Sequence, residues 1–171
     1  AAFAAAREAA VGWPLPGLGF LDMRRPDAIA FLNGQLSNDV AGLAPGSAEW
    51  ATYNSPKGRM LATMLAWRPA TGPVCRLALA ADLAEPIRKR LSMFVLRSKV
   101  TLAAPVPALA AIGVGGPAAA DAVRAALGVD PLPMRAVAFD DDGAAIGLPD
   151  GRILVAVPAD RAESTAASLG E

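Results

Sequence analysis

The sequence contains no histidine and only one cysteine, Cys75, in 171 residues. Without histidine, the chain cannot supply a Ser-His or Cys-His catalytic pair or a histidine-ligated metal site. One cysteine can form neither an intrachain disulfide nor a cysteine-rich zinc site, and it favours a reducing compartment. Cys75 lies in the apolar run GPVCRLALA, where a small buried core residue is a simpler interpretation than a reactive thiol.

The sequence also lacks net charge and long apolar runs. Its 16 basic and 16 acidic residues cancel, so any anion site must be a local patch and not a global field. No charge-free run reaches about 18 apolar residues, and no membrane span is expected. Hydrophobic residues make up 54% and charged residues 19%, which is typical of a globular chain. The start, AAFAAAREAA, lacks signal-peptide features and predicts a frayed or helical N-terminal segment over residues 1–14.

Apolar periodicity and turn residues predict a mixture of hairpins and helices, which is typical of an α+β fold with mixed or antiparallel sheets and packed helices. A capping box is expected where Asp82 is followed by Glu85. Two small α+β subdomains divided near residues 104–108 are also expected. Predicted strands cover 17–23, 48–55, 59–67, 74–80, 97–104, 108–116, 134–140, 143–150 and 151–158, and predicted helices cover 25–36, 81–96, 117–128 and 159–170.

The stretch YNSPKGRML, residues 53–61, has the Lys, Gly and Arg of a phosphate-binding loop. Its flanks are apolar strands, and no helix begins after Gly58 to provide the N-terminal amides of such a site. Pro56 presets one turn angle, and Gly58 can adopt a positive φ. The pattern therefore predicts a hairpin turn.

The stretch NGQLSNDV, residues 33–40, places amide and carboxylate groups beside the end of an apolar helix. Such groups can hydrogen-bond a heteroaromatic ring, and they can equally cap a helix end and form a turn. The spacing of these residues leaves both alternatives open.

Two further stretches have weaker functional signals. Residues 88–90, RKR, with Arg97 and Lys99 close behind, could hold a polyanion, but a solvated helix face is the simpler interpretation. GVGGPAAADAV, residues 113–123, resembles a dinucleotide-binding loop in outline. Ala118 stands where the third glycine of that fingerprint is needed, so a tight strand-to-helix turn is favoured.

Three segments taken together resemble a known family. AIAFLNGQLSNDVAGLAPG, ATYNSPKGRMLATMLAWRP and LRSKVTLA occur in this order and resemble the N-terminal region of the YgfZ folate-binding proteins. These proteins belong to the superfamily of the glycine-cleavage T-protein, an aminomethyltransferase. The resemblance implies the folate-binding architecture of that superfamily over residues 15–171 and a tetrahydrofolate ligand. It also implies a cytoplasmic role in assembling or repairing iron–sulfur proteins, which affects tRNA modification indirectly, with no direct nucleic-acid or membrane partner.

The resemblance also suggests which residues meet the folate. The pterin is expected against apolar side chains, with polar contacts around it, and the glutamate tail is expected to meet cations. The expected folate contacts are Asn38, Asp39, Asn54, Lys57, Met60 and Leu65, and the expected anion contacts are Arg59, Arg88 and Lys89.

The sequence departs from the family at positions that carry its chemistry. Pro86, Leu61 and Ala62 stand where the resemblance places acidic residues of the T-protein, and none of them can transfer a proton. The K-G-C-(Y/F)-x-G-Q-E signature of YgfZ is absent, so a fragment or a divergent member is expected. A folate-binding protein that does not catalyse group transfer is the first hypothesis. The alternatives are an aminomethyltransferase-like enzyme using Asp39 or Asp82, and a ligand-free interaction module.

Overall fold

The computed structural model describes residues 9–170, which contain ten strands and four α-helices. Two short 3-10 helices, Val40–Gly42 and Ala159–Arg161, lie between these elements. The strands are β1 (Val11–Pro14), β2 (Leu18–Arg24), β3 (Ala48–Asn54), β4 (Met60–Trp67), β5 (Cys75–Ala80), β6 (Thr101–Ala103), β7 (Leu109–Gly115), β8 (Ala136–Ala138), β9 (Ala144–Gly147) and β10 (Ile153–Pro158). The helices are α1 (Ala28–Gln35), α2 (Ala81–Ser92), α3 (Ala119–Leu127) and α4 (Ala162–Leu169).

The chain forms two compact units, and residues 17–106 make up one of them. This unit contains a five-stranded antiparallel sheet in the order β3-β4-β5-β2-β6. Strands β3 and β4 are joined by the predicted hairpin, which the structure confirms. Since β3 is an edge strand, its outer side is open to the segment that follows helix α1.

One face of this sheet packs against helices α1 and α2 to form the core of the unit. Alternate residues along each strand point to this face, as the two-residue period of a strand requires. The helices contribute apolar side chains spaced three or four residues apart. Core residues from the sheet include Met23, Met64, Leu77 and Leu79, and those from the helices include Ala28, Phe31, Leu32, Ile87 and Leu91.

The opposite face of the same sheet is also buried. Phe20 and Trp67 meet edge to face with ring centroids 6.1 Å apart. Leu65 and Ala78 are cross-strand partners in the same region, and both are at most 3% exposed. Strands β4, β5 and β2 therefore read as nearly continuous apolar runs and not as alternating ones.

The second unit comprises residues 9–16 and 107–170. Its sheet has the order β1-β7-β10-β9-β8, and every neighbouring pair is antiparallel. Helices α3 and α4 supply Val123 and Leu169 to a core that also contains Ile112, Val114 and Val155.

The glycines of GVGG have a packing role in this second unit. Strand β1 pairs with β7 so that Trp13 lies opposite Gly113. A Cβ atom on Gly113 would come within 2.9 Å of the Trp13 ring, and one on Gly115 within 3.1 Å. Because a side chain at either position would press against the indole, these glycines serve strand packing, and Gly116, with φ 103°, forms the turn into the segment before α3.

The structure confirms the α+β class with antiparallel sheets, and it differs from the sequence prediction in detail. Helix α2 ends at Ser92 and not at residue 96, and the strand expected over 97–104 is reduced to Thr101–Ala103. The expected capping box does not form, since the helix begins at Ala81 without a side-chain cap and Glu85 pairs with Arg88 instead. Residues 1–8 of the N-terminal segment lie outside the described residues, while residues 11–14 form β1.

No helix within residues 9–170 combines the length and the apolar character needed to cross a membrane.

Candidate functional site

The β3–β4 hairpin turn is built by its own backbone. The Gly58 N–H donates to the Ser55 carbonyl at 2.9 Å, and the Ser55 N–H donates to the Arg59 carbonyl at 2.8 Å. The Ser55 hydroxyl accepts a further hydrogen bond from the Arg59 N–H at 3.1 Å. Gly58 has φ 75°, a left-handed conformation that side chains disfavour. The turn is therefore rigidly specified, and Lys57 projects from it.

Four expected contact residues lie together at this end of the hairpin, which we name the hairpin-end site: Asn54, Lys57, Arg59 and Met60. All four are exposed. The side chains of Lys57 and Arg59 have no hydrogen-bond or ion-pair partner among residues 9–170, so both cations are available to an anion. Met60 is 59% exposed, and its sulfur accepts a hydrogen bond from the Thr63 hydroxyl at 3.1 Å.

Asn38 and Asp39 lie along the outer edge of β3 and not at the hairpin end. Leu36 forms an antiparallel bridge with Tyr53, and the Ser37 N–H donates to the Thr52 carbonyl at 3.0 Å. Because the pairing is antiparallel, each further residue after Ser37 moves away from the turn, at roughly 3.3 Å per residue. Asn38 and Asp39 therefore form a separate group about 10 to 15 Å from Asn54.

The polar side chains of this edge group hold the local backbone. Asp39 caps the 3-10 helix Val40–Gly42 by accepting from the Gly42 N–H at 3.2 Å. Asn33 accepts from the Ala41 N–H at 3.0 Å, and the Asn38 side-chain oxygen accepts from the Ser37 hydroxyl at 3.1 Å. Of the two alternatives that the spacing left open, capping a helix end and turn is the one visible in this structure.

Leu65 lies in the middle of β4, where it pairs with Trp50 and Ala78. It is 1% exposed and lies roughly 17 Å along the strand from Met60. A single small ring system is too short to contact both Leu65 and Met60. Leu65 therefore packs the sheet, and it is not brought together with the hairpin-end site.

Arg88 and Lys89 are held by helix α2 and share one carboxylate. Arg88 makes two hydrogen bonds of 2.7 Å to Glu85, and the Lys89 ammonium lies 3.7 Å from the same group. These contacts raise the pKa of Arg88 and lower the pKa of Glu85. Arg88 and Lys89 therefore already have an anionic partner, whereas Lys57 and Arg59 have none among residues 9–170.

Burial controls the ionisation of two groups near the other end of β3. It raises the pKa of the Cys75 thiol to about 12, and the side chain is fully buried, so Cys75 is the inert core residue that the sequence favoured. The pKa of Glu49 is raised mainly by burial and, to a smaller extent, by the nearby Asp39 carboxylate. The Oε1 atom of Glu49 is buried with no hydrogen-bond partner.

Sequence reasoning missed a buried ion pair within the apolar strands. Arg76 donates to Asp22 through Nε at 2.6 Å and through Nη2 at 3.0 Å. The two residues are register partners across β2 and β5. One charged residue in each of two otherwise apolar runs, GLGFLDM and VCRLALA, was the signal that could have revealed the pair.

A groove between helix α2 and the start of β4 was also missed. It is lined by apolar side chains with cations at the rim, and its volume is about 430 Å³. The signal was a helix face with apolar residues at four-residue spacing next to the RKR run. The lining residues are Leu61, Leu83, Pro86, Ile87, Lys89, Arg90 and Met93.

The chemistry available at the hairpin-end site is anion and amide recognition. Two free cations and the Asn54 amide can bind carboxylates and ring nitrogens. Residues 54–60 contain no acid, so this site offers no carboxylate for proton transfer. Among residues 9–170, no three histidine, cysteine or carboxylate side chains cluster as metal ligands.

The fold of this chain is similar to that of known proteins. No protein-family model matches the chain, and no curated protein matches it. Among solved structures, it is similar to the glycine cleavage system aminomethyltransferase T from Bartonella henselae, with a TM-score of 0.85 and 19% sequence identity over 96% of this chain. It is also similar to heterotetrameric sarcosine oxidase from Corynebacterium sp. U-96, in complex with pyrrole 2-carboxylate, with a TM-score of 0.60 and 17% identity.

The two likenesses differ in how much of the known protein they cover. The chain spans 46% of the length of the aminomethyltransferase, and 98% of this chain matches 87% of the sarcosine oxidase chain. The backbone paths agree although fewer than one residue in five is identical. The chain therefore has the fold found in about half of an aminomethyltransferase T-protein, the architecture that the sequence resemblance implied.

Proposed function

We propose that this chain is a tetrahydrofolate-binding domain that does not itself transfer a one-carbon group. The likeness to the aminomethyltransferase over 96% of the chain is the observation that carries the proposal. The sequence resemblance to folate-binding proteins points to the same ligand. In the finer form of the proposal, the domain acts as YgfZ-type proteins do, assisting the assembly or repair of iron–sulfur proteins in the cytoplasm and thereby tRNA modification.

The ligand contacts proposed here are those of the hairpin-end site. A folate carries an extended heteroaromatic body and at least two carboxylates at its glutamate end. Lys57 and Arg59 are exposed and have no competing partner among residues 9–170, so they can meet these carboxylates. Each such exposed pair contributes about 0.2 to 1 kcal/mol. Asn54 and the Met60 thioether offer polar and apolar contacts to the rest of the ligand.

A binding role accounts for the residues better than a catalytic one. Asp39, the leading candidate for a proton-transfer group, is used as a cap of the 3-10 helix. Pro86 and the apolar Leu61 and Ala62 cannot exchange protons. The groups that remain available at the hairpin end are cations and an amide, which bind a ligand without changing its covalent structure.

Calorimetric titration with 5-formyltetrahydrofolate, a stable reduced folate, tests the proposal. The expected result is saturable binding with a one-to-one stoichiometry. 5-Formyltetrahydropteroic acid, which keeps the reduced ring system and has one benzoate carboxylate in place of the two glutamate carboxylates, is the matched ligand, and it should bind more weakly because Lys57 and Arg59 meet fewer carboxylates. An absence of heat at millimolar ligand with a folded protein would contradict the proposal.

A further inference from the structure

The groove between helix α2 and strand β4, which we name the α2–β4 groove, has a volume of about 430 Å³. Its floor is apolar, with Ile87 only 4% exposed. Leu61 contributes from the strand, and Leu83 and Met93 contribute from helix α2 and the residue after it. The groove therefore presents a continuous apolar surface to its surroundings.

Local sequence explains why a groove forms there. Leu83 and Ile87 are four residues apart on α2, and Pro86, Arg90 and Met93 follow one another at four- and three-residue spacing. Residues with these spacings lie on neighbouring rows of one helix surface. The compact ring of Pro86 leaves a depression between the longer side chains around it.

Apolar surface continues beyond the groove. Met93, Phe94 and Leu96 are 63%, 46% and 88% exposed, and they lie within four residues directly after α2. Single exposed apolar side chains are ordinary, but a set of them next to an apolar groove is typical of an interaction surface.

The charge around this surface is basic. The side chain of Arg90 has no hydrogen-bond or ion-pair partner among residues 9–170, and its Nε atom is buried and unsatisfied. Within the described part of the chain, the ammonium of Lys89 has the 3.7 Å contact with Glu85 as its one ion pair. The groove lining contains these two basic residues and no acidic residue, although the whole chain is neutral. A partner surface that complements this charge is therefore anionic.

We propose that the α2–β4 groove binds an acidic amphipathic peptide segment of a partner protein. Apolar side chains of the segment enter the groove, and its carboxylates meet Arg90 and Lys89 at the rim. A segment of three to four helical turns, roughly 16 to 22 Å long, covers both the groove and the exposed side chains after α2. A small anion that fills only the groove would leave Phe94 and Leu96 in water.

Fluorescence polarisation with a labelled 14-residue peptide tests this proposal. The probe carries Leu at positions 1, 5, 8 and 12 and Glu at most other positions, and the control peptide carries Lys in place of each Glu. The expected result is saturable binding of the acidic probe, at least tenfold weaker binding of the basic control, and weaker binding of the probe at high salt.

Protein variants locate the site. Arg90→Glu is expected to weaken probe binding at least tenfold, whereas Arg152→Glu makes the same charge change in the other unit and is expected to leave it unchanged. Met93→Ser removes an exposed apolar contact and serves as the second variant if Arg90→Glu does not fold. Circular dichroism verifies the fold of each variant. Reduced-folate binding by Arg90→Glu is expected to persist, so this test and that of the proposed function fail independently.

Three results would overturn the proposal. One is equal binding of the acidic and basic peptides, and another is unchanged probe affinity in both Arg90→Glu and Met93→Ser. The third is binding of octanoate or of phosphatidylserine-containing vesicles without binding of the probe, which would assign the groove to a small carboxylate or to a lipid surface.

Discussion

Asp22 and Arg76 face each other across strands β2 and β5 as a buried, doubly hydrogen-bonded ion pair. The two hydrogen bonds measure 2.6 and 3.0 Å, and the residues are 0% and 5% exposed. Both carboxylate oxygens are used, so the cost of removing the charges from water is offset by well-directed contacts. Since the two residues are direct register partners, the pair also favours one alignment of the central strands.

Breaking this pair is expected to be costly. Asp22→Ala removes the carboxylate that accepts two hydrogen bonds from the buried Arg76 guanidinium, and we expect the free energy of unfolding to fall by about 3 to 5 kcal/mol in urea denaturation. Asp141→Ala, at an exposed position, is the matched control and should change stability by less than about 0.5 kcal/mol. The double variant Asp22→Leu/Arg76→Met should recover most of the loss. A cost below about 1 kcal/mol for Asp22→Ala would contradict this role.

Gly58 is expected to be required by the hairpin and not by the ligand. Gly58→Ala places a side chain at φ 75° and should lower the free energy of unfolding by about 1 to 2 kcal/mol. Gly34→Ala is the matched control, because Gly34 lies in helix α1 and a Cβ atom added there would meet only open space. That change should raise stability by about 0.5 to 1 kcal/mol. Equal effects of the two substitutions in thermal or urea unfolding would refute the assignment.

Lys57 is expected to contribute to ligand affinity without contributing to stability. Lys57→Ala removes one exposed charge pair with the ligand. The dissociation constant for a reduced folate should therefore rise roughly one-and-a-half- to fivefold. The melting temperature should not change, since the side chain makes no hydrogen bond or ion pair with a described residue. Arg152→Ala, which removes an exposed cation from the other unit, is the control. A folate affinity identical to that of the unaltered protein, measured at low salt, would remove Lys57 from the site.

The half-buried carboxyl of Glu49 is expected to make stability depend on pH. Its pKa is raised in the folded state by burial and then by Asp39, so the folded protein holds this proton more tightly than the unfolded chain. The group therefore destabilises the fold as pH rises through and above the usual glutamate range. Glu49→Gln should increase the free energy of unfolding at pH 7, and the increase should vanish towards pH 3. A gain that is the same at both pH values would be inconsistent with the raised pKa.

The elements that the sequence predicted well are those specified by local patterns. The β3–β4 hairpin follows from two apolar runs around Pro56 and Gly58, and α2 follows from its apolar periodicity. Strand β1 was missed because its formation depends on a distant partner: Trp13 packs against Gly113 and Gly115, about 100 residues later in the sequence. The same contact explains why glycine occurs at positions 113 and 115, in the stretch that resembled a dinucleotide-binding loop.

The candidate site was predictable only in part. Asn54, Lys57, Arg59 and Met60 are close in sequence, and one turn holds them together. Sequence proximity could not show that the segment after α1 runs antiparallel to β3, which carries Asp39 away from that turn. The burial of Leu65 depends on both faces of the sheet being covered, and strand periodicity alone does not reveal this.

The central claim, that the hairpin-end site binds a folate, is tested most directly by nuclear magnetic resonance. Adding 5-formyltetrahydrofolate to ¹⁵N-labelled protein should shift the amide signals of residues 54–60, and the shifts should saturate with the ligand. The Arg59→Ala variant should need more ligand to reach the same shifts. Saturable shifts confined to other regions, or no shifts at millimolar ligand, would contradict the account.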